Sequence, residues 1–346
     1  MTKTQDSSRI NYIDALSGLA SIRTVLVHSL ANFFVLQSMS PYFLDLPSWA
    51  RLADLILRHS VPVFVFAAGF RYQMSYEKHP DRGYVAYARS RIKRMAVPFL
   101  LWTVFYYYLC VLTEPNLKDW NPIFTGFPFP SRRHILNMLT GSGNPAYQFW
   151  FLPMLFLVNL LYPLIVKLPL RNATPLLFSS AFYGISWYLD LQHPYDYPKF
   201  ILFYEFGAMA CRFRNHPGIS DWMHFVFGLS AGTTLIVAFI KHQTHAPVRM
   251  VQTDAVLAIT ILGLLVSSFH IFQTRIPRCL VQTGKLTWPI YILHDPLLLR
   301  SFGLLFISRL EWTHALFFPL AGILAFFASI LIHRLIVRMK LQTILF

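Results

Sequence analysis

The sequence predicts an all-α, polytopic membrane protein of about ten transmembrane helices with both termini in the cytoplasm. Of its 346 residues, 55% are hydrophobic and only 13% are charged, whereas charged residues make up about 25% of an ordinary soluble domain. Apolar runs of about 18 residues or more, long enough to cross a bilayer, recur along the whole chain. They lack the alternating segments of membrane β-barrels, so a helical bundle remains as the fold that satisfies the backbone in lipid.

The predicted helices follow the apolar runs in chain order. They cover residues 14–36, 49–70, 95–113, 147–166, 173–190, 199–213, 222–240, 254–273, 287–307 and 314–336. Residues 1–13 are then a cytoplasmic N-terminal segment, 114–146 the longest outer loop and 337–346 a cytoplasmic tail. Because spans and short loops use nearly all the length, we predict a single integral-membrane domain, 1–346, without a separate soluble domain.

The charge distribution sets the predicted orientation and excludes some functions. The net charge of +15 comes from Lys and Arg clusters between apolar runs, not from one basic face of the kind that binds nucleic acid. With both termini inside, most of these cations lie in cytoplasmic segments, as the positive-inside rule requires. Cys110, Cys211 and Cys279 are too widely spaced for a disulfide framework or a zinc pattern. We therefore expect neither nucleic acid nor metal as a partner.

The first predicted helix carries a polar stripe, consisting of Asp14, Ser17, Ser21, His28 and Asn32. At about 100° per residue these five positions fall within roughly 60° of one another. Polar groups are costly in lipid, so the stripe predicts a face turned toward a cavity or toward another helix. A packing seam accounts for small polar residues. A histidine, however, also holds or relays a proton near neutral pH, which makes His28 the candidate reactive residue.

Two other helices add polar candidates. Arg58 lies about eight residues, or on the order of 12 Å, from the outer end of the second helix, and His28 lies equally deep in the first. The equal depth predicts a shared cavity. In the ninth helix, Tyr291 and His294 lie three residues apart on one face, where either a reactive cavity or a packed interface explains them.

A basic run lies in the loop before the third helix, which the orientation places inside. It contains Arg89, Arg91, Lys93 and Arg94. Arginine binds phosphate through paired, charge-assisted hydrogen bonds, which favours a site for a phosphorylated substrate. The positive-inside rule alone also accounts for the run, so both interpretations stay open at this point.

Several segments resemble landmarks of the membrane-bound acyltransferase family three, in the right order. RINYIDALSGLASIRTVLVHS is similar to the family's Leu-Asp-x-Leu-Arg-Gly opening with its following histidine, and VPVFVFAAGF resembles its Val-Pro-Leu-Phe-Phe-x-x-Ser-Gly-Phe segment. RSRIKRMAVPFLLW, WFLPMLFL and YILHDP also resemble family segments, and Arg58 stands where one branch carries arginine. Two positions depart from the pattern: Ser17 stands where the family commonly has arginine, and Ala68 where serine is usual.

The resemblance implies a surface-glycan O-acetyltransferase without the esterase-like domain that some relatives carry. It implies acetyl-CoA as co-substrate and, as acceptor, a hydroxyl of a cell-surface glycan such as a lipopolysaccharide O-antigen, at a bacterial inner membrane. We expect His28 to act as general base or acyl acceptor and Arg58 to stabilise the oxyanion. The remaining candidates either hold the donor phosphates (Arg89, Arg91, Lys93, Arg94) or line the cavity (Asp14, Ser17, Ser21, Asn32, Tyr291, His294).

Two other classes of protein also account for the polar stripe. A carrier that exports a glycan or a lipid-linked glycan without chemistry would line its path with such residues, although the chain lacks the paired halves that many transporters show. A signalling or scaffold membrane protein would tolerate replacement of His28 by Asn or Gln. Labelling of a product from acyl-CoA separates these classes from an acyltransferase.

Overall fold

The computed structural model describes residues 2–36, 53, 57, 59–113, 131–140, 144, 146–167, 174–188, 200–243, 251–299, 301–302, 317–341 and 345. All regular secondary structure within these ranges is helical, and no strand occurs among them. The all-α prediction is confirmed. The predicted catalytic residue Arg58 and residues 114–130 of the predicted outer loop lie outside the described residues.

Most of the described helices lie on the predicted apolar runs. In chain order they are α1 (Thr2–Leu36), α2 (Ser60–Lys78), α3 (Tyr84–Arg91), α4 (Val97–Thr113), α5 (Arg132–Thr140), α6 (Phe151–Ile165), α7 (Thr174–Tyr188), α8 (Ile201–Arg212), α9 (Ile219–Gln243), α10 (Val251–Ile271), α11 (Arg278–Lys285), α12 (Thr287–Leu293) and α13 (Phe317–Arg338). Short 3₁₀ helices occupy Tyr147–Trp150 and Gln273–Arg275, and π-helical turns occupy Ile92–Ala96 and His294–Leu298. In contrast to the other helices, α3, α5 and α11 lie in segments predicted as loops.

Two helices extend beyond the apolar runs that predict them. α1 begins at Thr2, so the polar segment 1–13 is helical almost throughout. α2 continues eight residues past its predicted end at Phe70, to Lys78. A charged residue marks the end of an apolar run but does not itself end a helix. α2 stops instead beside Pro80, because the residue before a proline is disfavoured in the α conformation.

Two described helical stretches have the length and hydropathy of membrane spans. Gln148–Ile165 and Pro319–Arg338 are the described helical stretches long and apolar enough to cross a membrane, and Val256–Ile271 is a shorter apolar helix. Large apolar side chains such as Leu112 and Phe327 are exposed on the surface. Extensive exposed apolar surface is typical of contact with a membrane or a partner protein. The total of ten crossings stays a prediction.

The described chain forms two compact units, each assembled from segments distant in sequence. The first unit comprises Met1–Met74 and Phe206–His333, and the second comprises Ser75–Glu205 and Arg334–Phe346. Within the first unit, α1 packs along α11 and α12, and α9 packs against α10. Within the second, α3 and the π turn after it pack against α6.

Two glycines bring α1 and α11 into backbone contact. A Cβ atom added at Gly18 would collide with the carbonyl oxygen of Leu280, and one added at Gly284 would collide with the carbonyl oxygen of Asp14. In membranes, helices associate largely through close packing, so small residues at the interface matter more than apolar bulk. This contact fixes the α1 stripe against the segment that leads into α12.

Candidate functional site

The polar stripe of α1 contacts other helices of the first unit along its length. Near its start, Arg71 of α2 donates from Nη2 to Asp14 Oδ1 at 2.9 Å and to Ser17 Oγ at 3.1 Å. Farther along, Ser21 Oγ donates to Thr287 Oγ1 of α12 at 3.1 Å. The stripe therefore faces protein and not lipid at these positions.

Two histidines meet toward the far end of the stripe. His28 Nδ1 lies 2.8 Å from His294 Nε2, across 266 residues of sequence. Their ring planes are within 16° of each other, with centroids 5.0 Å apart. Two rings joined edge to edge by an in-plane hydrogen bond have this arrangement. The structure thus brings together two residues that the sequence offers only as separate candidates.

A carboxylate approaches the same histidine because the helix breaks after α12. In the π turn, Asp295 has extended backbone angles (φ −145°, ψ 140°), as expected for the residue before Pro296. Asp295 Oδ2 lies 3.9 Å from His28 Nδ1, and Asn32 Nδ2 donates to Asp295 Oδ1 at 3.3 Å. π turns within helices are frequent at functional sites, and here the turn places two consecutive side chains toward α1.

The hydrogen-bond partners determine which ring nitrogens carry protons. His294 Nδ1 lies 2.9 Å from the carbonyl oxygen of Ile290. That oxygen can only accept, so His294 Nδ1 is the donor. In a neutral His294 ring, Nε2 is then the acceptor, and His28 Nδ1 donates to it. A neutral His28 consequently carries its lone pair on Nε2, the form required for removing a proton.

The three groups differ in how far solvent or a substrate can reach them. The His28 side chain is 17% accessible and that of Asp295 is 1% accessible, while His294 is fully buried. A molecule that approaches from the surface would therefore reach His28 before the other two side chains. This arrangement resembles other acid–base sites, in which a buried partner orients the histidine and stabilises its charged form.

Two residues of the site, Arg71 and Asp295, were missing from the candidates that the sequence predicts. Hydropathy ends the predicted second helix at Phe70 and so assigns Arg71 to a loop. The absence of Gly and Pro between Phe70 and Pro80 was the signal that α2 continues. For Asp295 the signal was the proline that follows it, which turns its backbone out of the helix.

The structure places the other predicted cavity residues in different surroundings. Tyr291 is buried on α12, with its ring centroid 5.9 Å from that of His294 and 6.4 Å from that of Phe64. Asn32 binds Asp295, as described above. Arg58 lies outside the described residues, so its cavity shared with His28 stays a prediction. In the described ranges, no group of three or more His, Cys, Asp or Glu residues is arranged to hold a metal ion.

The basic run forms an open groove in the second unit. Three of its four cations, Arg89, Lys93 and Arg94, line this groove together with Ser90 of α3, and the groove has a volume of about 880 Å³. A groove lined by three cations and a hydroxyl has the donors that phosphate groups require.

The fourth cation of the run, Arg91, packs elsewhere. Its guanidinium carbon lies 4.8 Å from the centroid of the Tyr87 ring, within the range of a cation–π interaction. The Tyr87 hydroxyl lies 3.2 Å from the backbone oxygen of Asn159. Burial raises the pKa of the Tyr87 phenol, so the hydroxyl stays protonated at neutral pH and donates to Asn159. Tyr87 thus links α3 to α6, and Arg91 packs against the ring of Tyr87 and does not line the groove.

Comparison with protein families gives a match over most of the chain. A family model described as an acyltransferase domain, that of acyltransferase family 3, matches residues 10–334. The matched range contains the whole α1 stripe, Arg71, the basic groove and the His294–Asp295 turn. Comparisons with curated proteins and with solved structures find no match.

Proposed function

This chain belongs to acyltransferase family 3, and from that premise we propose that it is a membrane O-acetyltransferase. It moves the acetyl group of cytoplasmic acetyl-CoA to a hydroxyl of a cell-surface glycan, such as a sugar of a lipopolysaccharide O-antigen, at a bacterial inner membrane. The observation that carries the proposal is the partly accessible His28, hydrogen-bonded to buried His294 and flanked by buried Asp295. A general base backed by a buried carboxylate suits the activation of a weakly acidic sugar hydroxyl.

The proposed reaction is a single transfer with His28 as the base. The sugar hydroxyl oxygen attacks the thioester carbonyl, forming an ester C–O bond, and the C–S bond to CoA breaks. His28 Nε2 takes the hydroxyl proton during the attack and returns it to the departing thiolate, so the products are the acetylated sugar and CoA thiol. An acyl-histidine intermediate uses the same nitrogen.

The neighbours of His28 contribute to the charged stage of this cycle. When His28 accepts the proton, the Asp295 carboxylate lies 3.9 Å from Nδ1, close enough to stabilise the imidazolium electrostatically. The hydrogen bond to His294 fixes the tautomer with Nε2 unprotonated before the attack. We propose Arg58 as the donor that stabilises the developing oxyanion.

The transfer itself is the first test. Membranes that contain the chain, prepared from cells without endogenous activity, are incubated with acetyl-CoA labelled in the acetyl group and with glycan acceptor. We expect labelled glycan only where the chain is present. Absence of labelling above the level of membranes without the chain would reject acyl transfer and favour the carrier hypothesis.

Asp295→Asn should reduce the transfer rate without disturbing the fold. The amide preserves the shape of the side chain and an oxygen for Asn32 but removes the charge beside His28. Because one charge at this distance is worth a few kcal/mol in a partly buried site, we expect kcat to fall about 10- to 100-fold at unchanged expression. Asp221→Asn, a change of an exposed acid on α9, is the matched control. Equal rates for the two variants would remove Asp295 from the mechanism.

The groove residues should act on donor binding and not on the chemical step. We propose that the phosphates at the nucleotide end of the donor bind Arg89, Lys93 and Arg94. Arg89→Gln and Lys93→Gln should then each raise KM for acetyl-CoA by about 3- to 10-fold with little change in kcat, the signature of lost uniform binding. Lys78→Gln removes an exposed cation of α2 that does not line the groove. KM values equal to that of the control would mean that the basic run does not bind the donor and only sets the orientation of the chain in the membrane.

A further inference from the structure

Arg71 of α2 presents an oriented guanidinium beside the first residues of the α1 stripe. Its Nη2 atom makes the bonds to Asp14 and Ser17, and the side chain is still 46% accessible. An arginine has five N–H donors. Among the described residues, the hydrogen bonds of Arg71 all come from Nη2, which leaves the Nε and Nη1 donors for an external acceptor.

The two residues that hold Arg71 are themselves held in place. The backbone of Asp14 lies against Gly284 of α11. Ser17 is fully buried, and its hydroxyl donates to the carbonyl oxygen of Ile13 at 3.0 Å. A guanidinium fixed by such partners loses less conformational freedom when it binds an anion than one on an unrestrained side chain. The arrangement is therefore a preorganised donor for an anion and not only an ion pair between two helices.

Ser17, one of the two residues that hold this guanidinium, lies about as far along α1 from His28 as the pantetheine arm of the donor is long. Ser17 and His28 are eleven residues apart on α1, which corresponds to about 16 Å along the helix axis. In acetyl-CoA, the pantetheine arm places about 14 bonds between the phosphorus of its 4′-phosphate and the acetyl carbonyl. At the per-bond rise of an extended chain, this is roughly 16 Å.

We propose that Arg71 binds the phosphate at the 4′ end of the pantetheine arm through Nε and Nη1 while the acetyl group lies at His28. Asp14 and Ser17 are positioning residues that aim the guanidinium. The inference rests on the proposed function, since it presumes an acyl-CoA donor. It also gives a reason for the serine at position 17. Relatives commonly carry an arginine at this position of the first helix, whereas here α2 supplies the guanidinium beside the serine.

The test uses donors that differ by this phosphate alone. Values of kcat/KM are measured for acetyl-4′-phosphopantetheine and for acetylpantetheine, with the full chain in membranes, and their ratio is compared between wild type and Arg71→Gln. The glutamine keeps a polar amide at this position but has no charge. We expect a wild-type ratio of at least about tenfold, the effect of a charge-assisted bond, and a ratio near one in Arg71→Gln. Lys78→Gln, on the same helix, should keep the wild-type ratio.

Each outcome separates phosphate recognition from a simple ion pair between α1 and α2. An ion pair that only holds the helices would lower turnover of both donors equally and leave the ratio unchanged in Arg71→Gln, which would overturn the inference. A wild-type ratio near one would overturn it as well. Failure of the proposed function gives another pattern. The wild-type chain would then transfer acetyl neither from these two donors nor from acetyl-CoA.

Discussion

We expect His28→Ala to lower acetyl transfer from acetyl-CoA by about a thousandfold, the middle of the range for loss of a general base. The amount of protein in the membrane should stay the same, because His28 is partly accessible and its removal opens no large cavity in the core. The rate is measured under saturating acetyl-CoA at matched expression. His224→Ala, a replacement of an exposed histidine of the first unit, should retain the wild-type rate.

His28→Gln separates chemistry from packing at the same position. The glutamine amide has a donor for His294 and occupies similar volume, so a packing role alone would be preserved. It has no basic nitrogen, so we expect the loss of rate to equal that of the alanine variant. A glutamine variant with more than about a tenth of the wild-type rate would contradict the base role, because such a role contributes at least about a hundredfold.

Gly284→Ala should have the largest effect on stability. A single methyl group there would collide with the backbone carbonyl of Asp14, and a backbone atom cannot move aside as a flexible side chain can. The α1–α11 contact would have to open, and we expect a loss of about 3 kcal/mol or more, at the upper end for overpacking. For a chain of this size, that corresponds to a fall of about 4 °C or more in Tm, measured by the thermal loss of monodisperse protein in detergent.

Gly232→Ala on α9 is the matched control for this prediction. An added Cβ at Gly232 meets nothing within 4 Å. Alanine is favoured over glycine inside a helix by about 1 kcal/mol, so this variant should be as stable as wild type or slightly more stable. Equal Tm values for the two variants would show that α1 and α11 are not in backbone contact in the membrane.

The features that the sequence predicts correctly are those encoded locally. Apolar runs predict the helices, since hydropathy and helical period are read within one segment. The helical spacing likewise predicts that Asp14, Ser21 and Asn32 share a face, and in the structure each of them has a partner on another segment. The match to acyltransferase family 3 confirms the resemblance, which rests on several short segments in order.

The features that the sequence does not predict depend on contacts between distant segments. His28 and His294 are 266 residues apart, and no periodicity within either helix indicates that they pair. The partner of Asp14 was missed for a related reason: hydropathy ends a predicted span at its first charged residue, although Arg71 lies in the middle of α2. The α1–α11 contact was missed because α11 is short and lies in a polar segment.

The break between α12 and the π turn means that the geometry of the candidate site depends on a residue whose side chain has no acidic or basic group. In a regular helix, consecutive side chains diverge by about 100°, so an imidazole at His294 and a carboxylate at Asp295 would point in different directions. The proline at position 296 disfavours the helical conformation of Asp295 and so lets both side chains reach α1. A homologue that kept every acidic and basic residue but replaced this proline would therefore keep the side chains and lose the backbone conformation that brings them together at α1.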